Sequence, residues 1–164
     1  MAEENATATG EEQQKPRFVI QKVYTKDVSF ESPNSPDIFR DEWRPKLDLQ
    51  LGNDYKRIDD DNHEVILTVM VTAKVDDKVA FLVEVKQAGI FTLTGYSNEE
   101  MGPLLGSYCP NTLFPFVREV VSDLVTKGGF PQLVLAPVNF DAMYLHNKER
   151  AQQAAKQAQS EATH

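Results

Sequence analysis

The residues that ordinarily carry out covalent or metal chemistry are present in this chain, but they are not spaced for it. Cys109 is the single cysteine. A nucleophilic thiol needs a histidine beside it to hold it as thiolate, and nothing near Cys109 supplies one, so a structural role beside Pro110 is the reading. One cysteine also excludes an internal disulfide and fits a reducing compartment. His63, His146 and His164 are scattered and show no ligand spacing. The run Asp59-Asp60-Asp61 lacks the spaced carboxylates, the glycine and the closing glutamate of a calcium loop, and it reads as a solvated turn. No phosphate-binding loop is found. An enzyme would need a convergent acid, base or nucleophile, and no such set emerges, so the chain is expected to be a non-enzyme with no cofactor and no metal site.

The chemistry that remains is binding, and its carriers are carboxylates and apolar side chains. The net charge of −8 over 164 residues repels phosphate backbones and anionic lipid heads and attracts basic partners, so neither nucleic acid nor a membrane is an expected ligand. The first residues, MAEENATATGEEQQKP, offer no basic region followed by an apolar run, and no later segment stays apolar for the ~18 residues of a span. A soluble, cytoplasmic protein is expected. The apolar excess lies between Gly106 and Tyr144. At helical spacing Phe116, Val120, Leu113, Leu124, Val117, Val121, Phe114 and Val125 cover an arc of roughly 180°. One core needs a stripe of only about 100°. The second flank therefore faces a neighbouring subunit, a bound polypeptide or a larger internal core.

The elements that must position these groups are legible in outline. Residues 1–16 read as a disordered acidic arm and 151–164 as a flexible polar tail, leaving 17–150 for one domain. Phe18, Ile20, Tyr24, Val28 and Phe30 share one parity and Asp27, Ser29 and Glu31 the other, which predicts a half-buried strand; Lys22 and Lys26 blur the alternation. After an irregular connection carrying Ile38, Phe39 and Trp43, Leu47, Leu49 and Leu51 predict a second strand. A polar run from Gly52 to His63 leads to a third strand, with Val65, Leu67, Val69, Val71, Ala73 and Val75 on one face. Asp76-Asp77 turns it into a fourth through Val79, Phe81, Val83 and Val85. Leu82 and Glu84 share the other face. A long helix is predicted from Asn111 or Thr112 to Gly128-Gly129, and a second one capped by Asn139. On the second, Phe140, Met143, Tyr144, Asn147, Ala151 and Ala154 follow helical spacing, so its grip weakens along its length and it should open at low cost. The fold class is α+β: a four-stranded antiparallel sheet followed by a long helix and a C-terminal helix.

The segments IQKVYTKDVSFESPNSP, EVKQAGIF, GSYCPNTLFPFVRE and GGFPQLVLAPVNFDAMY, in this order between Arg17 and Leu145, resemble the SecB protein-export chaperone family. The resemblance implies an ATP-independent cytoplasmic chaperone that holds unfolded preproteins and passes them to the SecA motor. It implies a homotetramer, a dimer of dimers, with the long helix between sheets of different subunits, which would use the surplus arc at Phe116, Val120 and Leu124. It places Asp27, Glu31 and Glu84, with Leu82, on a SecA-facing patch suited to a basic, zinc-binding tail whose metal belongs to SecA. It also places Val83, Val85 and Gln87 near subunit packing. For the client groove, apolar side chains tolerant of many sequences are wanted, and the candidates are Phe39, Trp43, Phe140, Met143 and Tyr144. The alternative for each is closure of the core beneath a long loop. A rival function keeps the fold and the groove: a peptide-binding adaptor, or a chaperone serving another pathway such as toxin control, without the SecA patch.

Overall fold

Residues 14–162 are described in a computed structural model of the chain. Strand β1 (Arg17–Glu31) leads through a short 3₁₀ turn at Asp37–Arg40 to β2 (Lys46–Arg57), β3 (Asn62–Val75) and β4 (Lys78–Thr94). All pairings are antiparallel and the sheet order is β1-β4-β3-β2, so β1 and β2 form its edges. The expected hairpin is present: Val75 pairs with Lys78, and Asp76 turns the chain at a φ of 53°, which an aspartate tolerates. The second hairpin is tighter than the polar run suggested. β2 continues to Arg57, and the Asp59 carboxylate accepts from the amides of Asp61 and Asn62 and from the Asn62 side chain, which holds it below the ordinary carboxylate range. Asp60 is paired with Arg57.

Period-two alternation works on β3 and β4 because one face is sealed. Val65, Leu67, Val69, Val71, Phe81, Val83 and Val85 are at most 1% exposed. The cover is helix α2 (Cys109–Lys127), which lays Leu113, Val117, Val121 and Val125 on that face with no residual exposure. The helical chain begins earlier than expected. Ser97 caps α1 (Asn98–Pro103) in a reciprocal capping box with Glu100, and a π-helical turn at Leu104–Tyr108 joins α1 to α2 without a break. Thr112, expected near a cap, is inside the helix and donates to the Tyr108 carbonyl one turn back. Gly102, Pro103, Gly106 and Pro110 disguised the start as a loop. The end is as expected: the Gly128 amide donates to the Leu124 carbonyl, and Gly129 takes the left-handed φ of 87°.

The return segment 130–139 runs back along α2, tied by Arg118, whose Nε donates to the Leu135 carbonyl at 2.8 Å. Asn139 then caps α3 (Phe140–Glu161) through the Ala142 amide. The expected boundary at residue 151 has no counterpart in the backbone. α3 continues to Glu161, because the Ala, Gln, Lys and Glu residues there are good helix formers, and from Leu145 onward it is exposed. Of the expected N-terminal arm, residues 1–13 lie outside the described residues.

Candidate functional site

The sheet has one face under α2 and one face free of it, and β1 changes sides between them. It pairs with β4 through two bulges, at Gln21 and at Lys26. Each extra residue swaps the parity, so Phe18, Ile20, Val28 and Phe30 stand on the inner face while Val23 and Thr25 take it between the bulges. Tyr24, assigned to the inner face by simple alternation, therefore lies on the outer face. The blurring lysines in the sequence mark these bulges. The two swaps cancel beyond Lys26, which leaves Asp27, Ser29 and Glu31 outward.

On the outer face Asp27 stands opposite Lys86, Ser29 opposite Glu84, and Glu31 opposite Leu82. Glu84 is thus the diagonal neighbour of both Asp27 and Glu31, about 7–8 Å from each at the backbone. The four residues expected to form a patch do form one. Asp27 and Glu31 are exposed, Leu82 and Glu84 half-buried, and the Lys86 ammonium sits 3.9 Å from the Glu84 carboxylate as a partial counter-ion. Three carboxylates around one leucine can take up a basic polypeptide that also presents an apolar contact.

Beside this patch lies a cluster that the sequence did not reveal. Glu64 of β3, its side chain 6% exposed, accepts from the Tyr24 hydroxyl and from Lys26 Nζ at 2.8 Å, and its second oxygen lies 3.2 Å from Lys56 Nζ. The Lys26 and Tyr24 hydrogen bonds bring the Glu64 carboxyl down to about 2, against the opposing effect of burial. Burial and the same carboxylate push Tyr24 up to about 12. The only sequence signal was the pair of lysines interrupting β1.

The inner face carries the apolar candidates, in two separate places. Phe39 and Trp43 sit at the C-terminal end of α2, where both rings pack on Phe130, with centroids 5.0 and 5.4 Å away, and Trp43 also stacks on Phe81. Phe39 remains 49% exposed. Phe140, Met143 and Tyr144 sit at the other end, against the π-helical turn. Phe140 is a correction: it is 2% exposed, packed edge-to-face on Phe114, because the Asn139 cap aims the first turn of α3 into the core. It serves to close the interior of the chain. Tyr144 is half-buried over Gly102 and Gly106, where a Cβ would collide with its hydroxyl and its ring respectively, and the Ser107 hydroxyl donates to Asp141. The residues missed are Leu47 and Leu49. They stand on the inner face of edge strand β2, opposite Ala73 and Val71, where α2 does not reach, and stay 49% and 41% exposed. Their alternation was read as a strand but not as open surface.

The surplus arc of α2 divides cleanly. Leu113, Phe114, Val117, Val121 and Val125 are buried in the chain's own core; Val120 and Leu124 are half-buried and Phe116 is 46% exposed. Val83, Val85 and Gln87 stand on the inner face beneath α2, at most 3% exposed, and Gln87 accepts a hydrogen bond from Thr25. Their contacts are therefore internal to the chain. Cys109 is fully buried and its thiol is pushed up to about 12 by desolvation, so it is chemically inert. His63 is buried at the start of β3, where burial first and the Arg57 charge second lower its pKa. Among the described residues no three His, Cys, Asp or Glu side chains are grouped to hold a metal ion, and no helix is long and apolar enough to cross a membrane.

A family model described as "Preprotein translocase subunit SecB" matches residues 11–152. The protein-export protein SecB of Nitrosococcus oceani is 59% identical over 94% of this chain and 96% of its own length. That of Methylococcus capsulatus is 55% identical over 90% and 97%, and that of Marinobacter nauticus 47% identical over the full length of both. Among solved structures, the Mycobacterium tuberculosis Rv1957 SecB-like chaperone, in complex with a ChAD peptide from the Rv1956 HigA1 antitoxin, is similar in fold. Its TM-score is 0.60 at 17% identity, covering 74% of this chain and 88% of that one.

Proposed function

This chain belongs to the SecB family, and we propose that it is an ATP-independent chaperone of protein export, which keeps unfolded precursors translocation-competent in the cytoplasm and hands them to SecA. The observation that carries this reading is the division of labour between the two sheet faces. The inner face leaves Leu47 and Leu49 open beside Phe39 and Trp43, while the outer face gathers Asp27, Glu31 and Glu84 around Leu82. Client and motor can thus be held at once.

The client site acts by burial rather than by chemistry. Covering a large apolar side chain contributes about 1.5–3 kcal/mol, and leucines and aromatics exact little shape specificity. An extended segment along β2 also meets the unpaired backbone groups of an edge strand. Phe39, Trp43, Leu47 and Leu49 are the residues we assign, with Met143 and Tyr144 at the far end. The acidic surface favours clients with positive charge, and raised salt should slow capture while leaving the apolar component intact.

Assembly as a homotetramer, a dimer of dimers, accounts for the open flank of α2 at Phe116, Val120 and Leu124. Val83, Val85 and Gln87 influence it through the seat they provide for α2. The test has three arms. The purified protein should suppress aggregation of a denatured precursor without ATP, near one tetramer per client, and Leu47→Asp with Leu49→Asp should weaken that holding. Asp27→Lys or Glu84→Lys should abolish SecA binding and leave holding intact. Sedimentation should report a tetramer, which Phe116→Asp reduces to a smaller species. Normal aggregation in the presence of the protein would overturn the chaperone reading, and unchanged SecA affinity in both lysine variants would overturn the docking face.

A further inference from the structure

Strand β1 reaches its place on β4 with two residues more than β4 has. From Arg17 opposite Thr94 to Glu31 opposite Leu82, the extra residues are Gln21 and Lys26. A ladder without the bulges, kept in register at Phe18 and Leu93, would still send Phe18, Ile20, Val28 and Phe30 inward. It would differ in two respects. Lys22, Tyr24 and Lys26 would turn toward α2, and the docking carboxylates would slide by two residues, which sets Asp27 directly opposite Glu84 and Glu31 opposite Ala80. Like charges directly opposite one another destabilise a pair of strands. The observed register instead interposes Lys86 and sets Leu82 beside Glu31.

The inner-face hydrophobic pattern at the two ends of β1 does not choose between these registers; the middle does, because without the bulges Lys22 and Lys26 would lie beneath α2, and on the outer face something must hold the bulged strand in place. The cluster around Glu64 does so. Lys26 is the bulge residue itself, and its ammonium reaches over β4 to Glu64 on β3 at 2.8 Å; Tyr24, two positions earlier, donates to the same oxygen. Ala88, opposite Tyr24, is small enough to let both side chains cross. In the bulge-free register neither could reach, and Glu64, 6% exposed, would keep only Lys56. The bulge at Gln21 is laced more lightly, by Gln21 Nε2 donating to Thr92 at 2.9 Å. With its carboxyl brought down to about 2, Glu64 stays charged throughout the working range and the clamp does not open with pH.

We propose that Glu64 is a positioning residue for partner docking: through Lys26 and Tyr24 it fixes the register of β1 and so the spacing of Asp27 and Glu31 around Glu84. This rests on the outer face being the SecA-docking face. Glu64 itself need not touch the partner.

The test compares Glu64→Gln, Tyr24→Phe, Lys26→Met and Lys26→Arg with the wild type, with Asp27→Lys and Glu84→Lys as references for the docking face. SecA affinity is measured by calorimetry, client holding by aggregation, and register by the NMR contact between the Asp27 and Lys86 backbones. Glu64→Gln and Lys26→Met should weaken SecA binding about tenfold and lose or broaden the Asp27–Lys86 contact, while client holding stays at the wild-type level. Lys26→Arg, which keeps the charge and the reach, should bind within about twofold of the wild type. The Lys26 side chain is 40% exposed, so the Met and Arg variants decide the matter even where Glu64→Gln does not fold. Loss of binding in both lysine references but not in Glu64→Gln or Lys26→Met would overturn the positioning role and leave the docking face standing. Equal loss in Lys26→Met and Lys26→Arg would also overturn it. Wild-type binding by both references would remove the docking face, and the proposal with it.

Discussion

Glu64→Gln is the perturbation whose energetic consequence can be worked most directly. Glu64 titrates near 2 in the folded chain against an ordinary value of 4.5. A depression of that size means the ionised carboxylate contributes about 3 kcal/mol. Because the folded value is depressed, that contribution is fully present above pH 4.5 and is lost as the pH falls toward 2. By linkage roughly half of it survives at pH 3. Glutamine keeps the shape of the protonated acid and cannot titrate. The gap in stability between wild type and variant should therefore be about 3 kcal/mol at pH 6 and shrink to roughly half that at pH 3. Urea unfolding followed by the fluorescence of Trp43, which packs on Phe81 and Phe130, reports it, at one protomer concentration so that the concentration-dependent part is the same for both proteins. A gap that stays constant or widens toward pH 3 would refute the assignment of Glu64 as a carboxylate held by Lys26 and Tyr24.

Three further outcomes follow from packing and titration. Leu113→Ala, at a side chain with no exposure between α2 and the sheet, should cost about 2–5 kcal/mol in the same urea experiment. Gly106→Ala would drive a Cβ into the Tyr144 ring, so the first turn of α3 should lift and its amides exchange with deuterium markedly faster, while those of β3 keep their wild-type protection. The Cys109 thiol, pushed up to about 12 and fully buried, should resist alkylation at pH 8 in the folded protein and react promptly once urea unfolds it.

How far the sequence reaches depends on how local the deciding interaction is. β3 and β4 were legible because a sealed face imposes strict alternation, and the helix ends at Gly128-Gly129 and Asn139 were legible because caps are short-range. The start of the helical region was missed where two glycines and two prolines imitate a loop, although the capping-box pattern Ser97 to Glu100 was there to be seen. Phe140 was misplaced for a different reason. An aromatic residue at a helix start looks the same whether it faces a groove or a core, and only the contact with Phe114 decides. The openness of Leu47 and Leu49 likewise depends on the reach of α2, which no residue of β2 encodes.

Tyr24 shows why the candidate patch was found while its mechanism was not. Two bulges cancel in parity, so alternation counted straight through β1 assigns Asp27 and Glu31 to the correct face, while the two register errors, both of one sign, add to a shift of two residues. The correct answer at the ends concealed the displaced middle. In the proposed arrangement the carboxylates are held in place by contacts between residues thirty-eight and forty positions apart, Lys26 and Tyr24 with Glu64, which no periodicity can express. On an edge strand with bulges, apolar residues at the two ends of one face select only the parity there, and the residues between the bulges decide the rest. The polar groups on the other face add to that selection, so on this sheet the outer surface carries structural information alongside the proposed docking patch. Substitutions that spare every carboxylate of the patch can still disable it.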